Sequence, residues 1–284
     1  MIDKVVLRGS IFRHLDGLVT APVAYSLYKK EVLSFLIDKK EASLSDLTNH
    51  FSANEGYLNV GLRVLCSQGF LKYHINTTTD EIKFSLTEKS EIAFSLFHLY
   101  EDVVDLLQFS MHFHPRLFEE APFEKLKVIF EKYKKNYSLV FSEDPKIKEV
   151  QHQIMMHIEG ALVGPTLVRL GMSGMFHKYF MEISFRPEEF HKTPENFKII
   201  LDFLTYLGWF TQKNGNYQFT ETGLFFAKRA SAYGVTVSYL PTFSKMDDLL
   251  FGNPNVLQNV SNGEDEIHVD REMNVWGSGG AHDS

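Results

Sequence analysis

The sequence predicts a mainly helical protein with small β-hairpin wings, in which two winged-helix-like units are joined by a helical segment. A helix–glycine–hairpin pattern occurs twice, and apolar stripes at helical spacing fill the stretch between the copies. A third sign is the turn to Gly, Asn, Asp and Ser after position 252. These divide the chain into a winged-helix-like unit at 1–90, a helical connector or lid at 91–170, a second unit at 171–251 and a flexible pre-core linker at 252–284.

In the first copy an apolar stripe predicts a helix from Val23 to Leu36. Ser43-Leu44-Ser45-Asp46 reads as a capping box opening a second helix to about Phe51, and Ser52 or Asn54 caps a third, Glu55 to Gln68. Gly69 can take the left-handed conformation that ends it. Two β-like arms follow, Phe70 to His74 and Glu81 to Leu86, joined by Asn76 to Asp80. Thr87-Glu88 then reads as a new helix start. From 92 to 170 the stripes predict helices, with breaks at Pro115, Pro122 and Pro145.

The second copy repeats the plan. Phe185 to Phe190 opens one helix and Thr193-Pro194-Glu195 the next, with proline at its favoured first position. This helix runs to Leu207 and is closed by Gly208. Arms at Trp209 to Gln212 and Tyr217 to Phe219 flank Asn214-Gly215, a strong hairpin signal. Thr220-Glu221 starts the next helix, expected over Leu224 to Ala232, and a further one covers Lys245 to Leu250.

Composition narrows the function. The chain has 284 residues, 44% of them hydrophobic, which is ample for packed cores. One cysteine, Cys66, excludes an internal disulfide framework and suits a reducing compartment. Neither a membrane-length apolar run nor a signal-peptide pattern at Met1-Ile2-Asp3-Lys4 is present, so a cytoplasmic protein without membrane contact is expected. The net charge of -7 argues against nucleic acid as a partner. So do the third helices, which offer Arg63 against Glu55, and Lys198 against Glu195 and Asp202.

Catalytic and metal chemistry find little support. His112 and His114, or His152 and His157, lack the spacing of three or four that places ligands on one helix face, so no metal site is predicted. Cys66, among Val64, Leu65 and Phe70, reads as a buried inert thiol. No nucleophile elbow, phosphate loop or zinc-protease pattern occurs. The catalytic residue set is empty.

The tail from His268 to His282, with Trp276 among alternating apolar residues and glycines, resembles the segment leading into the cofactor domain of bacterial methyltransferases related to those of polyketide synthases. The units ending in Gly-Phe-Leu or Gly-Trp-Phe, then a hairpin and Thr-Glu, resemble the amino-terminal region of O-methyltransferases of that group. Tyr239 to Phe243 and Asp247 to Leu250 resemble its connector. The likeness covers nearly the whole chain, and the order of its motifs is more specific than any one of them.

The resemblance implies the pre-core region of a class I S-adenosylmethionine-dependent methyltransferase, covering a small-molecule or carrier-bound acyl substrate and pairing subunits. S-adenosylmethionine is then the cofactor of the whole enzyme. The implied partners are a methyltransferase core that binds it, a second copy of the chain and an acyl carrier protein. Tyr239 and Phe243 become lid or pocket residues, and Asn274, Gly277, Gly279 and His282 would close over donor or substrate. The departure is that no strand, acidic residue and glycine-rich turn of a donor site is present, so this chain alone is expected to be inactive and not to bind the donor. Two other readings stay open, a tandem winged-helix DNA-binding regulator and a scaffold without ligand. Salt-dependent DNA binding would mark the first, and the lack of a concave apolar pocket the second.

Overall fold

The computed structural model describes residues 1–109, 121–177, 181–257 and 268–280. Helices dominate, with two small antiparallel sheets, one in each winged-helix-like unit.

The first unit opens with α1 (Lys4–Lys29), capped by Asp3, whose carboxylate accepts from the amides of Val5 and Val6 at 3.0 and 3.2 Å. The helix expected over Val23 to Leu36 is broken. The Lys30 amide folds back onto Ser26, Glu31 turns left-handed at φ 62°, and α2 (Val32–Lys39) begins anew. The apolar stripe runs on through the break, so periodicity alone does not show it. Next come β1 (Glu41–Ser43), which the sequence did not announce, then α3 (Leu44–Phe51) and α4 (Glu55–Ser67). Ser43 caps α3 by accepting from the Asp46 amide at 3.0 Å. The wing is β2 (Lys72–Ile75) and β3 (Ile82–Ser85), in the sheet order β1-β3-β2.

After the wing come α5 (Ser90–Leu96), a 3-10 turn at Phe97–Tyr100, α6 (Glu101–Leu106), α7 (Phe123–Lys134) and α8 (Pro145–Met172). Pro122 and Pro145 mark the starts of α7 and α8, while Pro115 lies outside the described residues.

In the second unit Pro187–Glu189 is only a 3-10 turn, not the helix expected from Phe185. Phe185 is extended and pairs with Tyr217, its amide donating to the Tyr217 carbonyl at 2.9 Å. It thus stands beside the second wing as β1 stands beside the first. Then follow α9 (Pro194–Tyr206), β4 (Phe210–Lys213) and β5 (Asn216–Phe219), turned by Asn214 and Gly215 at φ 52° and 77°. Gly69 and Gly208 end their helices at φ 79° and 86°, the left-handed conformation the sequence calls for at both places. The helix expected over Leu224 to Ala232 divides into α10 (Glu221–Ala227) and α11 (Ser231–Ser238). Short helices α12 (Leu240–Phe243) and α13 (Met246–Phe251) complete the unit.

The units meet where α1 and α8 cross antiparallel. A methyl placed on Gly17 would lie 2.3 Å from the His157 Cα, and one on Gly160 would lie 2.4 Å from the His14 Cα, so the two backbones touch. This contact exposes a repeat longer than the wings. His14, Gly17 and Pro22 of α1 recur 143 residues later as His157, Gly160 and Pro165 of α8. Thr87 and Thr220 each donate to the carbonyl of the helix-ending glycine, Gly69 or Gly208. Tyr100 and Tyr233 each follow thirteen residues after that threonine. The chain is two like halves paired face to face.

One expectation is corrected in part. Within the linker expected over 252–284, Arg271–Gly280 is a helix, α14, docked on α11. Met273 is buried, and a methyl on Gly277 would lie 2.7 Å from the Gly234 Cα. Gly277, which reads as linker in composition, here serves close helix packing. Among the described residues no helix is long and apolar enough to cross a membrane.

Candidate functional site

The α1–α8 crossing holds a buried polar network built on two histidines. His14 Nε2 donates to the Glu159 carboxylate, and its Nδ1 lies 2.7 Å from the Tyr233 hydroxyl. Tyr133 donates to the other Glu159 oxygen at 2.7 Å. In the mirror position, His157 Nδ1 lies 2.7 Å from the Tyr100 hydroxyl and its Nε2 is 2.9 Å from Gln68 Oε1. The Gln68 oxygen can only accept, so the His157 proton sits on Nε2 and Tyr100 donates to Nδ1. Each half therefore lends a histidine to the other half's tyrosine.

Electrostatics separate the two histidines. Burial, helped by Arg13 and His14, pushes His157 down to about 3, so its ring is neutral. Burial would raise the Glu159 carboxyl, but the hydrogen bond and charge of His14 and the Tyr133 hydroxyl outweigh it and hold it low. Both rings are fully buried, and none of the described grooves is lined by them. A histidine–carboxylate pair of this kind can move a proton, but a substrate has no described path to it. It fastens the halves together.

Of the residues expected to face donor or substrate, Tyr239 and Asn274 lie together at the end of α11. Asn274 Nδ2 donates to Ser238 Oγ at 3.0 Å, and the Asp270 amide donates to the Ser238 carbonyl at 2.7 Å. Tyr239, the next residue, is 39% exposed and is the part of this knot open to solvent. Phe243 is half-buried against the core. The Thr242 hydroxyl donates to the His268 carbonyl and so ties α12 to the approach of α14. Gly277 is corrected from a ligand-facing to a packing residue, because its backbone abuts Gly234. Gly279 faces open space, and His282 lies outside the described residues. Trp276, absent from the expected set, fills the notch left by Gly171 and Gly234: a methyl on Gly171 would meet its ring at 2.6 Å. The signal that could have found it was a tryptophan in an otherwise polar, glycine-rich tail.

The third helices offer no cationic reading face. Arg63 lies 4.6 Å above the Tyr73 ring and donates to Asn59, while Lys198 pairs with Asp202 at 3.8 Å. The α9 helix is also covered by α7, where Phe130 and Phe203 stack 4.0 Å apart. Elsewhere His152 stacks on Phe141, and His112 and His114 lie outside the described residues. Cys66 is half-buried rather than fully so, and burial pushes its thiol up to about 11. Among the described residues no group of three His, Cys, Asp or Glu is placed to hold a metal ion.

No curated protein matches the chain. Two family profiles do. Residues 7–73, from α1 into the first wing, are similar to the AprA N-terminal domain. Residues 159–253, from within α8 to the end of α13, match the AprA winged helix domain, so the second of the paired halves carries a winged-helix domain.

Proposed function

We propose that this chain is the substrate-covering and pairing region of a cytoplasmic S-adenosylmethionine-dependent methyltransferase acting on a small-molecule or carrier-bound acyl substrate, with the donor pocket on another part of the enzyme. The observation that carries the reading is the docking of α14. The segment that resembles the approach to a methyltransferase core is a helix seated by Trp276 and Gly277, with Asn274 and the exposed Tyr239 beside it. A rigid approach of this kind would hold a following domain at a fixed place against the paired halves, which is what positioning catalysis demands. Pairing with a second copy of the chain, which the resemblance ascribes to such units, is part of the same reading.

The test uses the natural gene product. Methyl transfer from labelled S-adenosylmethionine to an acyl thioester, falling by roughly tenfold or more in Trp276→Ala while the fold is kept, supports the reading. A natural product without a donor-binding core, from which no donor-binding protein co-purifies, overturns it. Calorimetry showing tight, stoichiometric donor binding by these 284 residues alone overturns the placement of the donor pocket.

A further inference from the structure

The pairing of the halves makes two seams, each between the start of a long helix and the helix after the opposite wing. The seam of α8 with α5 is closed by ion pairs, Lys89 to Glu149 at 2.8 Å and Lys146 to Glu88 at 3.3 Å. Among the described residues the matching seam of α1 with α10 has no such ion pair. It is an open groove of about 860 Å³ whose walls include Val5, Leu224 and Phe225. Val5 and the neighbouring Val6 are 77% and 62% exposed, an apolar surface that its counterpart does not leave bare.

Charge says what fits there. Lys4, Lys228 and Arg229 line the groove, and none has a carboxylate partner among the described residues, in a chain of net charge -7. Of the two acidic residues beside them, Asp3 is occupied in capping α1. The Arg229 guanidinium lies flat over the Phe225 ring at 3.9 Å, cationic and apolar at one point.

We propose that the groove between α1 and α10 is a docking site for an acidic amphipathic helix of a partner protein, its apolar stripe on Val5 and Leu224 and its carboxylates on Lys4, Lys228 and Arg229. A trough between two helices is the seat that helix-in-groove recognition uses, with anchors at one-turn spacing. A free acyl chain calls for a site that encloses most of its surface, and this groove is open on the side of Lys4, Val5, Glu221 and Lys228, all exposed. The inference stands apart from the methyltransferase reading, since it needs neither donor nor acceptor.

The probe is a fluorescein-labelled twenty-residue peptide with leucines at i, i+3, i+4 and i+7 and glutamates elsewhere, titrated into the full chain and followed by anisotropy. The expected result is saturable binding that weakens about tenfold between low and physiological salt. A further loss of about tenfold or more is expected in the double variant Lys4→Glu, Lys228→Glu, and a loss in Val5→Asp, whose exposed site leaves the fold intact. Equal binding of a lysine-for-glutamate peptide, or no response to the charge reversal, overturns the proposal. So does a chain that self-associates through this face, shown by sedimentation in which Val5→Asp restores the monomer. Preference for anionic lipid vesicles over the peptide also overturns it.

Discussion

The two halves share a skeleton and give the histidine at their crossing different partners. Both long helices carry a histidine three residues before a glycine, and both histidines take a tyrosine from across the crossing. Yet His14 spends its second nitrogen on a carboxylate, Glu159, while His157 spends its own on the amide of Gln68. Asp16 stands where Glu159 stands in the other half, one methylene shorter and exposed, so it does not reach His157. Leu207 occupies the position matching Gln68 and offers His14 nothing. A repeated backbone has been given a charge on one side only, and this shows that the crossing geometry, not the polar detail, is what both halves require.

The largest expected effect separates the two histidines. His14→Phe leaves the Glu159 carboxylate partly buried with only Tyr133 to satisfy it, and should cost about 3–5 kcal/mol. His157→Phe strands a neutral group, the Tyr100 hydroxyl, while Gln68 Oε1 keeps the Gln153 amide at 3.1 Å, and should cost about 1–3 kcal/mol. Denaturant unfolding measures both. Equal costs would mean that the charge is not what distinguishes the halves.

The glycines should behave alike where the histidines do not. Gly17→Ala and Gly160→Ala each drive a methyl into the facing backbone, which cannot yield as a side-chain tip can. Each should cost about 3 kcal/mol, at the upper end of overpacking effects, with the two values close to each other. A cost near zero at either position would show that the helices are not in backbone contact there.

Acid should find His157 before it finds Glu159. The folded histidine is pushed down to about 3 against roughly 6.5 when unfolded, so below about 6.5 the unfolded chain binds a proton that the folded chain refuses. Stability is therefore lost as pH falls, by up to about 1.4 kcal/mol per unit from this group. Glu159, also held low, adds its loss only below the ordinary carboxylate range near 4.3. In His157→Gln the slope between about 6.5 and 4.3 should flatten, while the steeper loss below it remains. Unfolding midpoints measured across that range decide the matter.

What the sequence made readable was local. Gly69 and Gly208 end helices because few other residues take a positive φ there, and the threonines that follow each wing tie back to those same glycines. The long-range repeat was equally present in the residues, at a fixed spacing from His14 to Pro22 and from His157 to Pro165, but it lies in helices buried on several faces. Apolar spacing announces such a helix but does not single out the His, Gly and Pro positions that match. The α14 helix was hidden for another reason. Glycine lowers helix propensity, so Trp276-Gly277-Ser278-Gly279 reads as loop unless one sees Gly234 and Gly171 waiting for it. Of the expected site residues, Asn274 and Tyr239 come together because both adjoin Ser238, a contact between segments that no local pattern records.

The smallest expected effect lies at the free end of α1, where the halves diverge most. Gly9 matches His152 of α8, which stacks on Phe141 at 4.4 Å and covers its helix, whereas a methyl on Gly9 would meet nothing within 4 Å. Glycine inside a helix costs about 0.5–1 kcal/mol relative to alanine, through the backbone freedom it gives the unfolded chain. Gly9→Ala should therefore stabilise the protein by about that amount, raising the denaturant midpoint with an unchanged slope. Peptide binding at the nearby groove should be preserved or slightly tightened, because the first turns of α1 would already be ordered. A destabilised Gly9→Ala would mean that this surface is packed against something, and that the open seam is open only in the isolated chain.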